Sequence, residues 1–298
     1  MTLRHAVSVL TRHDLLNFLL TNAMPRRLVS RCVGRISNSR NRLVRGVSLW
    51  LWGCFAELDL ADAERTRFAS MQDCFTRRLK PGARPQDPDP SVLTSPCDAI
   101  VGAFGTVSGG RALQVKGMEY TLTELLGDAD HAATFEGGVF VTLRLTSAMY
   151  HRFHAPHDCR VTRVRHIHGD CWNVNPPTLR RVTRLFCRNE RVVIDTLLAP
   201  GGQKVTLVAV AAILVSGVRL GFLPLDTDAG RPLRRTYACD EVLAKGAEMG
   251  WFEHGSTIIV LAPTGLVVAP ALQEGDHLRV GQRLLRVADM AGFEGAPY

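Results

Sequence analysis

No two cysteines in this 298-residue chain stand as a C-x-x-C pair. The eight are scattered at positions 32, 54, 74, 97, 159, 171, 187 and 239, which excludes a zinc ribbon or a dense disulfide framework and reads as reduced, mostly buried thiols. Long apolar runs are missing too: segments 46–56 (GVSLWLWGCFA) and 205–215 (VTLVAVAAILV) reach about half of the ~20 residues a membrane-spanning helix requires. A secretory leader is not expected, since Arg12, His13 and Asp14 interrupt the first apolar residues and no small-residue cleavage site follows. Repeats and low-complexity tracts are absent. Acid is nearly absent from residues 1–45, where Asp14 alone faces nine arginines, an imbalance equal to the whole net charge of +8.

What is present is an ordinary globular composition, 46% hydrophobic and 21% charged, carrying a strongly basic head. Such a head suits a polyanionic surface, membrane phosphates or nucleic acid, and no RNA-stacking motif supports the second. At 100° per residue Val29, Cys32, Val33 and Ile36 share one helix face, with Arg27, Arg31 and Arg35 on the other. The segment 46–56, with Trp50 and Trp52, then suits a membrane interface better than a crossing. The same arginine-rich, acid-poor composition leaves a mitochondrial presequence open.

Residues 81–90, PGARPQDPDP, cannot sustain a helix or a central strand and divide a helical region, 1–80, from a body, 81–298. Short β-branched runs punctuated by glycine fill the body at 99–107, 138–145, 161–167, 191–197, 205–215 and 257–261, with one helix at 122–126. The expected class is α+β: a helical, membrane-associating N-terminal region followed by a mostly antiparallel β catalytic domain.

The densest titratable cluster is YHRFHAPHD, 150–158. A helical turn capped by Thr146 or Ser147 and stopped by Pro156 would project His151 and His154 from one side. Two such imidazoles can share acid–base work or begin a metal site, with His157 or Asp158 as a further ligand, though nothing in the spacing fixes that geometry. Asp98, in SPCD, and Ser256, in EHGSTIIV, would complete a carboxylate–imidazole–hydroxyl inventory. The second glycine of a G-x-S-x-G elbow is missing. A serine hydrolase using Asp98, His154 and Ser256, and a non-enzymatic membrane-binding adaptor, both remain open on these residues alone.

Six segments in this order, FTRRLKPGARP (75–85), SPCD (95–98), KGMEYTLTELLG (116–127), YHRFHAP (150–156), LFCRNERVV (185–193) and KGAEMGWFEHGST (245–257), resemble the phosphatidylserine decarboxylases, which are pyruvoyl-dependent phospholipid enzymes. The resemblance implies a precursor cut between Gly255 and Ser256 into chains 1–255 and 256–298. Ser256 becomes a covalent pyruvoyl group that forms a Schiff base with the lipid amine. It implies that Asp98 orients His154, that His154 deprotonates Ser256 for the cut, and that His151 serves decarboxylation. No metal is required. The implied partners are phosphatidylserine and an anionic membrane surface, not nucleic acid. The implied setting is peripheral, at the cytoplasmic face of a bacterial membrane, with the mitochondrial inner membrane as the other option. Four places depart from the family pattern: His254 where an apolar residue is usual, Ala99 and Cys159 where glycines are, and 208–217 (VAVAAILVSG), which carries alanine where a glycine-rich turn is usual.

Overall fold

The computed structural model describes residues 14–22, 25–56, 58–199, 201–212, 217–225, 234–253 and 256–288. Helices α1 (Asp14–Asn22), α2 (Arg26–Ser37), α3 (Arg42–Phe55) and α4 (Met71–Phe75) come first. Then follow β1 (Val92–Thr94), β2 (Ala99–Thr106), β3 (Arg111–Val115), β4 (Met118–Thr121), α5 (Leu122–Leu126) and α6 (Ala129–Ala133). The middle of the chain holds β5 (Val139–Leu145), β6 (Arg152–His154), β7 (Cys159–Ile167), α7 (Pro176–Leu179), α8 (Leu185–Arg188), β8 (Arg191–Leu198) and β9 (Lys204–Ala211). The last strands are β10 (Val218–Leu220), β11 (Arg234–Leu243), β12 (Glu248–Phe252), β13 (Ser256–Ala262), β14 (Leu266–Val268), β15 (His277–Leu278) and β16 (Arg283–Val287).

Eight of these strands form one antiparallel sheet in the order β11-β7-β8-β9-β13-β5-β2-β15. Both of its faces are covered. Ile258 and Val260 join Val141, Leu143, Leu207 and Ala209 in one core, while Ile259 and Leu261 join Phe140, Val193, Val208 and Val210 in another. Each fully buried Ile or Leu contributes about 1.5–3 kcal/mol, so the middle strands are written as unbroken apolar runs instead of alternating ones. Two three-stranded sheets, β1-β16-β14 and β10-β12-β6, close the first face through Leu93, Leu285, Phe153 and Phe252. The β3–β4 hairpin and helices α5 to α8 close the second through Tyr120, Leu126, Leu185 and Phe186.

The α+β, mostly antiparallel class is therefore observed. The expected strands are present with ends shifted by a few residues, except that the run expected to reach 215 leaves the sheet at Ala211, and 213–216 lie outside the described residues. The helix expected at 122–126 is α5, its first turn capped by Thr121 Oγ1 accepting from Glu124 N at 3.2 Å. Gly127, at φ 67°, ends it in the left-handed conformation that glycine favours.

One expectation is overturned. His151 and His154 do not project from a helical turn: residues 152–154 are strand β6, paired with β12 as Trp251↔Arg152, Gly250↔Phe153 and Glu248↔His154. Burial of Phe153 in the first core and the ladder to β12 outweigh the local turn signal. Side chains three apart in extended chain point to opposite faces.

The N-terminal helices lie on the body through polar contacts and through a few apolar ones, among them Phe18 against the second core. Asn22 Nδ2 donates to Thr178 Oγ1 at 2.9 Å, Asn175 Nδ2 to Asn17 Oδ1 at 2.9 Å, and Asp14 pairs with Arg180 at 2.5 Å. On α2 the buried residues are Ser30 and Ser37, whereas Cys32 and Ile36 are exposed and Val29 and Val33 half-buried. The side chains of Arg27 and Arg31 lie outside the description. Helix α3 starts on Asn41, whose Oδ1 accepts from Leu43 N at 2.9 Å, and turns Leu43, Val47 and Trp50 outward at 79, 61 and 63% exposure. Trp52 points inward, 5.7 Å from Phe75 between ring centroids. No helix among the described residues is long and apolar enough to cross a membrane.

Candidate active site

Residue 256 heads β13, the strand between β5 and β9, where its backbone is in register with Leu145 on one side and Ala211 on the other. His254, Gly255 and the Ser256 side chain lie outside the description. The chain arrives there from β12, which belongs to a different sheet. Strand β6 lines β12, and Phe252 N donates to His151 O at 2.9 Å. The fold therefore lays both histidines along the segment leading to residue 256, with His151 the nearer in register. Close approach explains Gly250: a Cβ there would lie 2.0 Å from Arg219 O and 2.9 Å from Phe153 Cζ.

His151 is fully buried. Its Nδ1 is 2.8 Å from the Met149 carbonyl, and since a carbonyl only accepts, that nitrogen carries the hydrogen. The ring lies against Phe75, 3.8 Å between centroids. His154 is fixed in the same tautomer by the Gly246 carbonyl, 2.9 Å from Nδ1, which leaves Nε2 to accept from the Tyr150 hydroxyl at 3.1 Å. Burial lowers the His154 pKa, opposed by the Gly246 bond and by the charges of Glu248 and Asp98. A neutral imidazole in this tautomer can accept a proton at Nε2. Burial likewise raises the phenol of Tyr150, keeping it a donor.

Asp98 does not hydrogen-bond to His154. Its carboxylate accepts from Arg84 Nε at 2.9 Å and Nη2 at 2.6 Å and from Val280 N at 2.9 Å, and both nitrogens of His154 have the partners just described. The two residues are nonetheless neighbours, since His154 N donates to Pro96 O at 2.8 Å and the Asp98 charge raises the pKa of His154. Arg84, which also reaches Asp62 at 2.8 Å, is a site residue the sequence reading passed over, although it stands in the quoted segment FTRRLKPGARP. His157 lies between the carbonyls of Pro90 and Asp158, and no group of three or more His, Cys, Asp or Glu is arranged for a metal among the described residues. Ala99 and Cys159 are both buried, and burial pushes the Cys159 thiol up to about 11, well short of a reactive thiolate at neutral pH.

Helix α4 and the residues after it close the site from the N-terminal side. Gln72 Nε2 donates to Glu253 O at 3.0 Å, Arg152 Nε to Thr76 O at 2.9 Å, and Arg77 Nη2 to Ala148 O at 3.0 Å. A cavity of about 640 Å³ opens beside them, lined by Arg77, Arg84, Asp98, Ser147, Met149 and Tyr150 among others.

Two histidines held by backbone carbonyls, a carboxylate held by Arg84 and a cavity beside them, at the place where one sheet hands the chain to another, are the equipment of an enzyme site. The model of the family described as phosphatidylserine decarboxylase matches residues 71–286. A phosphatidylserine decarboxylase proenzyme of Myxococcus xanthus is 38% identical over 76% of this chain and 82% of its own length. Those of Xylella fastidiosa (35% identical, 90% of this chain, 94% of its own) and Bordetella pertussis (38%, 80% and 82%) are similar. The chain belongs to the phosphatidylserine decarboxylase family, a family of carboxy-lyases.

Proposed function

We propose that this chain is a self-processing decarboxylase that converts phosphatidylserine to phosphatidylethanolamine and carbon dioxide, using a pyruvoyl group made from its own Ser256. The observation that carries the reading is that residue 256 heads a strand hydrogen-bonded along both edges. A chain end created there stays fixed, and the segment leading to it is lined by His151 and by strand β6 with His154. That rigidity fits a carbonyl group that must meet its substrate in one orientation.

The Ser256 hydroxyl attacks the Gly255 carbonyl, turning the peptide bond into an ester and freeing the Ser256 nitrogen as an amine. Loss of the Ser256 α-proton expels the Gly255 carboxylate and leaves a dehydroalanine end, which takes up water and releases ammonia to become the ketone. His154 is the base for the first step. The Gly246 carbonyl fixes its tautomer, and its Nε2 exchanges the Tyr150 hydroxyl for that of Ser256 while the negative charge of Asp98 favours the imidazolium that forms. In the mature protein the pyruvoyl group supplies the electron sink for loss of the carboxylate. His151, held by the Met149 carbonyl and the Phe75 ring, positions the departing carboxylate or returns the proton to carbon.

The processed protein is a non-covalent pair, 1–255 and 256–298, because the short piece supplies β13 to the main sheet, β15 to β2 and β16 to β1. Its N-terminal helices rest on an anionic membrane surface at the cytoplasmic face. Outward Leu43, Val47 and Trp50 enter the interface and exposed Arg35, Arg40 and Arg42 face phosphates, each worth about 1 kcal/mol of attraction. Family membership favours this reading over a serine hydrolase or a non-enzymatic adaptor.

Intact-mass measurement tests it. The purified protein is expected to contain a 43-residue fragment, 256–298, with a ketone at a blocked N-terminus, and Ser256→Ala is expected to stay in one piece without decarboxylase activity. A lipid-active protein in one uncut chain would refute the proposal.

A further inference from the structure

Arg77 is buried, 6% exposed, and makes no ion pair with any carboxylate among the described residues. Its Nη2 donates to Ala148 O at 3.0 Å and its Nη1, weakly, to Cys74 O at 3.4 Å. Its Nε has no partner, and each terminal nitrogen keeps a second N–H. Burial lowers its pKa, the sign of a cation short of compensation. A buried guanidinium with unfilled donors is costly unless an anion completes it. Neighbouring carboxylates are committed elsewhere: Asp98 and Asp62 hold Arg84, and exposed Asp59 accepts from Ala61 N at 2.9 Å.

Arg77 lines the cavity of about 640 Å³ together with Tyr150, the hydrogen-bond partner of His154, and Ala56, which caps the C-terminal end of α3, the helix that carries the outward apolar side chains. The cavity thus runs from the helix that would meet lipid tails toward the histidines. Ala148, which Arg77 holds, is three residues beyond Leu145, the partner of residue 256.

We propose that this cavity is the headgroup pocket and that Arg77 binds the phosphodiester of the lipid. The assignment rests on the decarboxylase reading for its substrate. Of the two anions in the headgroup, the carboxylate is the wrong partner: a guanidinium paired to it would stabilise the ground state of a group that must lose its charge as carbon dioxide departs. The phosphodiester keeps its charge throughout, and its oxygens match the planar fork of an arginine.

Two measurements test the assignment. In the mature protein, Arg77→Gln is expected to leave self-cleavage complete by intact mass, to raise KM for dihexanoyl phosphatidylserine at least about tenfold, and to keep kcat within about threefold. Arg77→Lys restores part of the loss, keeping the charge without the fork. In Ser256→Ala protein, which needs no pyruvoyl group, NMR titration with glycerophosphoethanolamine is expected to show saturable binding that Arg77→Gln weakens by about tenfold or more, while binding of free serine does not change. This second arm gives its answer even if the pyruvoyl chemistry is wrong. An unchanged KM in fully cleaved Arg77→Gln protein, glycerophosphoethanolamine binding indifferent to residue 77, or a loss seen for serine alone overturns the proposal. Should Arg77→Gln not fold, Arg77→Lys in the Ser256→Ala background decides: weaker glycerophosphoethanolamine binding supports the fork, and unchanged binding sinks it.

Discussion

His154 is a histidine tuned to remain uncharged. Its pKa is lowered by burial, so it stays a competent base as the pH falls through the ordinary imidazole value of about 6.5. The cleavage rate of freshly translated precursor is therefore expected to hold through that pH and to fall only in more acid solution. A rate that halves near pH 6.5 would show an unperturbed imidazole. His154→Ala is expected to slow cleavage by about 10²–10⁴-fold, whereas His151→Ala should be cut normally and lose decarboxylation by a similar factor. Equal effects of the two changes on cleavage, followed by gel, would contradict the division of labour. The family was readable, because side-chain types in an ordered set of segments carry it, and so were the proposed reacting residues that stand in those segments. Their orientation was not: His154 and His151 are held by the carbonyls of Gly246 and Met149, and a backbone carbonyl leaves no trace in residue type. Asp98, expected to orient His154, acts on it through its charge and not through a hydrogen bond. The group that pairs with Asp98, Arg84, is fourteen residues away and carries no periodic signal.

Helix α4 is only one and a half turns long, yet it joins the N-terminal helices to the site. Ser70 Oγ caps it by accepting from Asp73 N at 3.1 Å, which aims Phe75 at His151 and Gln72 at Glu253. Phe75 is fully buried between Trp52 and His151. Phe75→Ala is expected to cost about 3–5 kcal/mol through lost burial and the space left behind, read as a lower urea midpoint in Ser256→Ala protein; a cost below about 1 kcal/mol would mean that α4 is not anchored there. The long inner strands were evident because two-sided burial demands unbroken Val, Ile and Leu. Strands β6, β10 and β12 were not, since three to five residues with one buried face give too little pattern to outweigh a turn signal such as Pro156. The apolar stripe of α2 was found as a pattern, but the face the helix turns inward carries Ser30 and Ser37, because the contact it makes with the body is polar, Ser30 Oγ lying 3.8 Å from Cys171 Sγ.

Away from the site, beneath α6 and the far side of the sheet, lies a second buried charged network that chemistry does not use. Arg165 contacts Nδ1 of His131 and pairs with Asp128 at 2.8 Å and Asp195 at 3.3 Å, and Thr206 Oγ1 bridges His131 Nε2 and Asp195, each at 3.1 Å. With Arg165 donating to Nδ1, His131 must be neutral. Burial, aided by Arg165 and Arg163 and opposed by Asp195, holds its pKa at about 4 against the usual 6.5. The folded value is the lower one, so between those two values the unfolded chain binds more protons and stability declines as the pH falls. In Ser256→Ala protein the urea midpoint is expected to drop from about pH 7 to about pH 5, and His131→Gln to flatten that drop; an unaltered slope would exclude His131 as its source. The strand that begins at residue 256 is the fifth of eight in its sheet, and this fixes the order of events in the protein's life. An uncut precursor folds as one molecule, at a rate independent of dilution. A protein cut at residue 256, as proposed, becomes two separate polymers when it loses its structure, and reinserting the middle strand is then a second-order encounter that grows slower with every dilution. Under that proposal, recovery from heat slows with dilution for the cut form and not for its precursor.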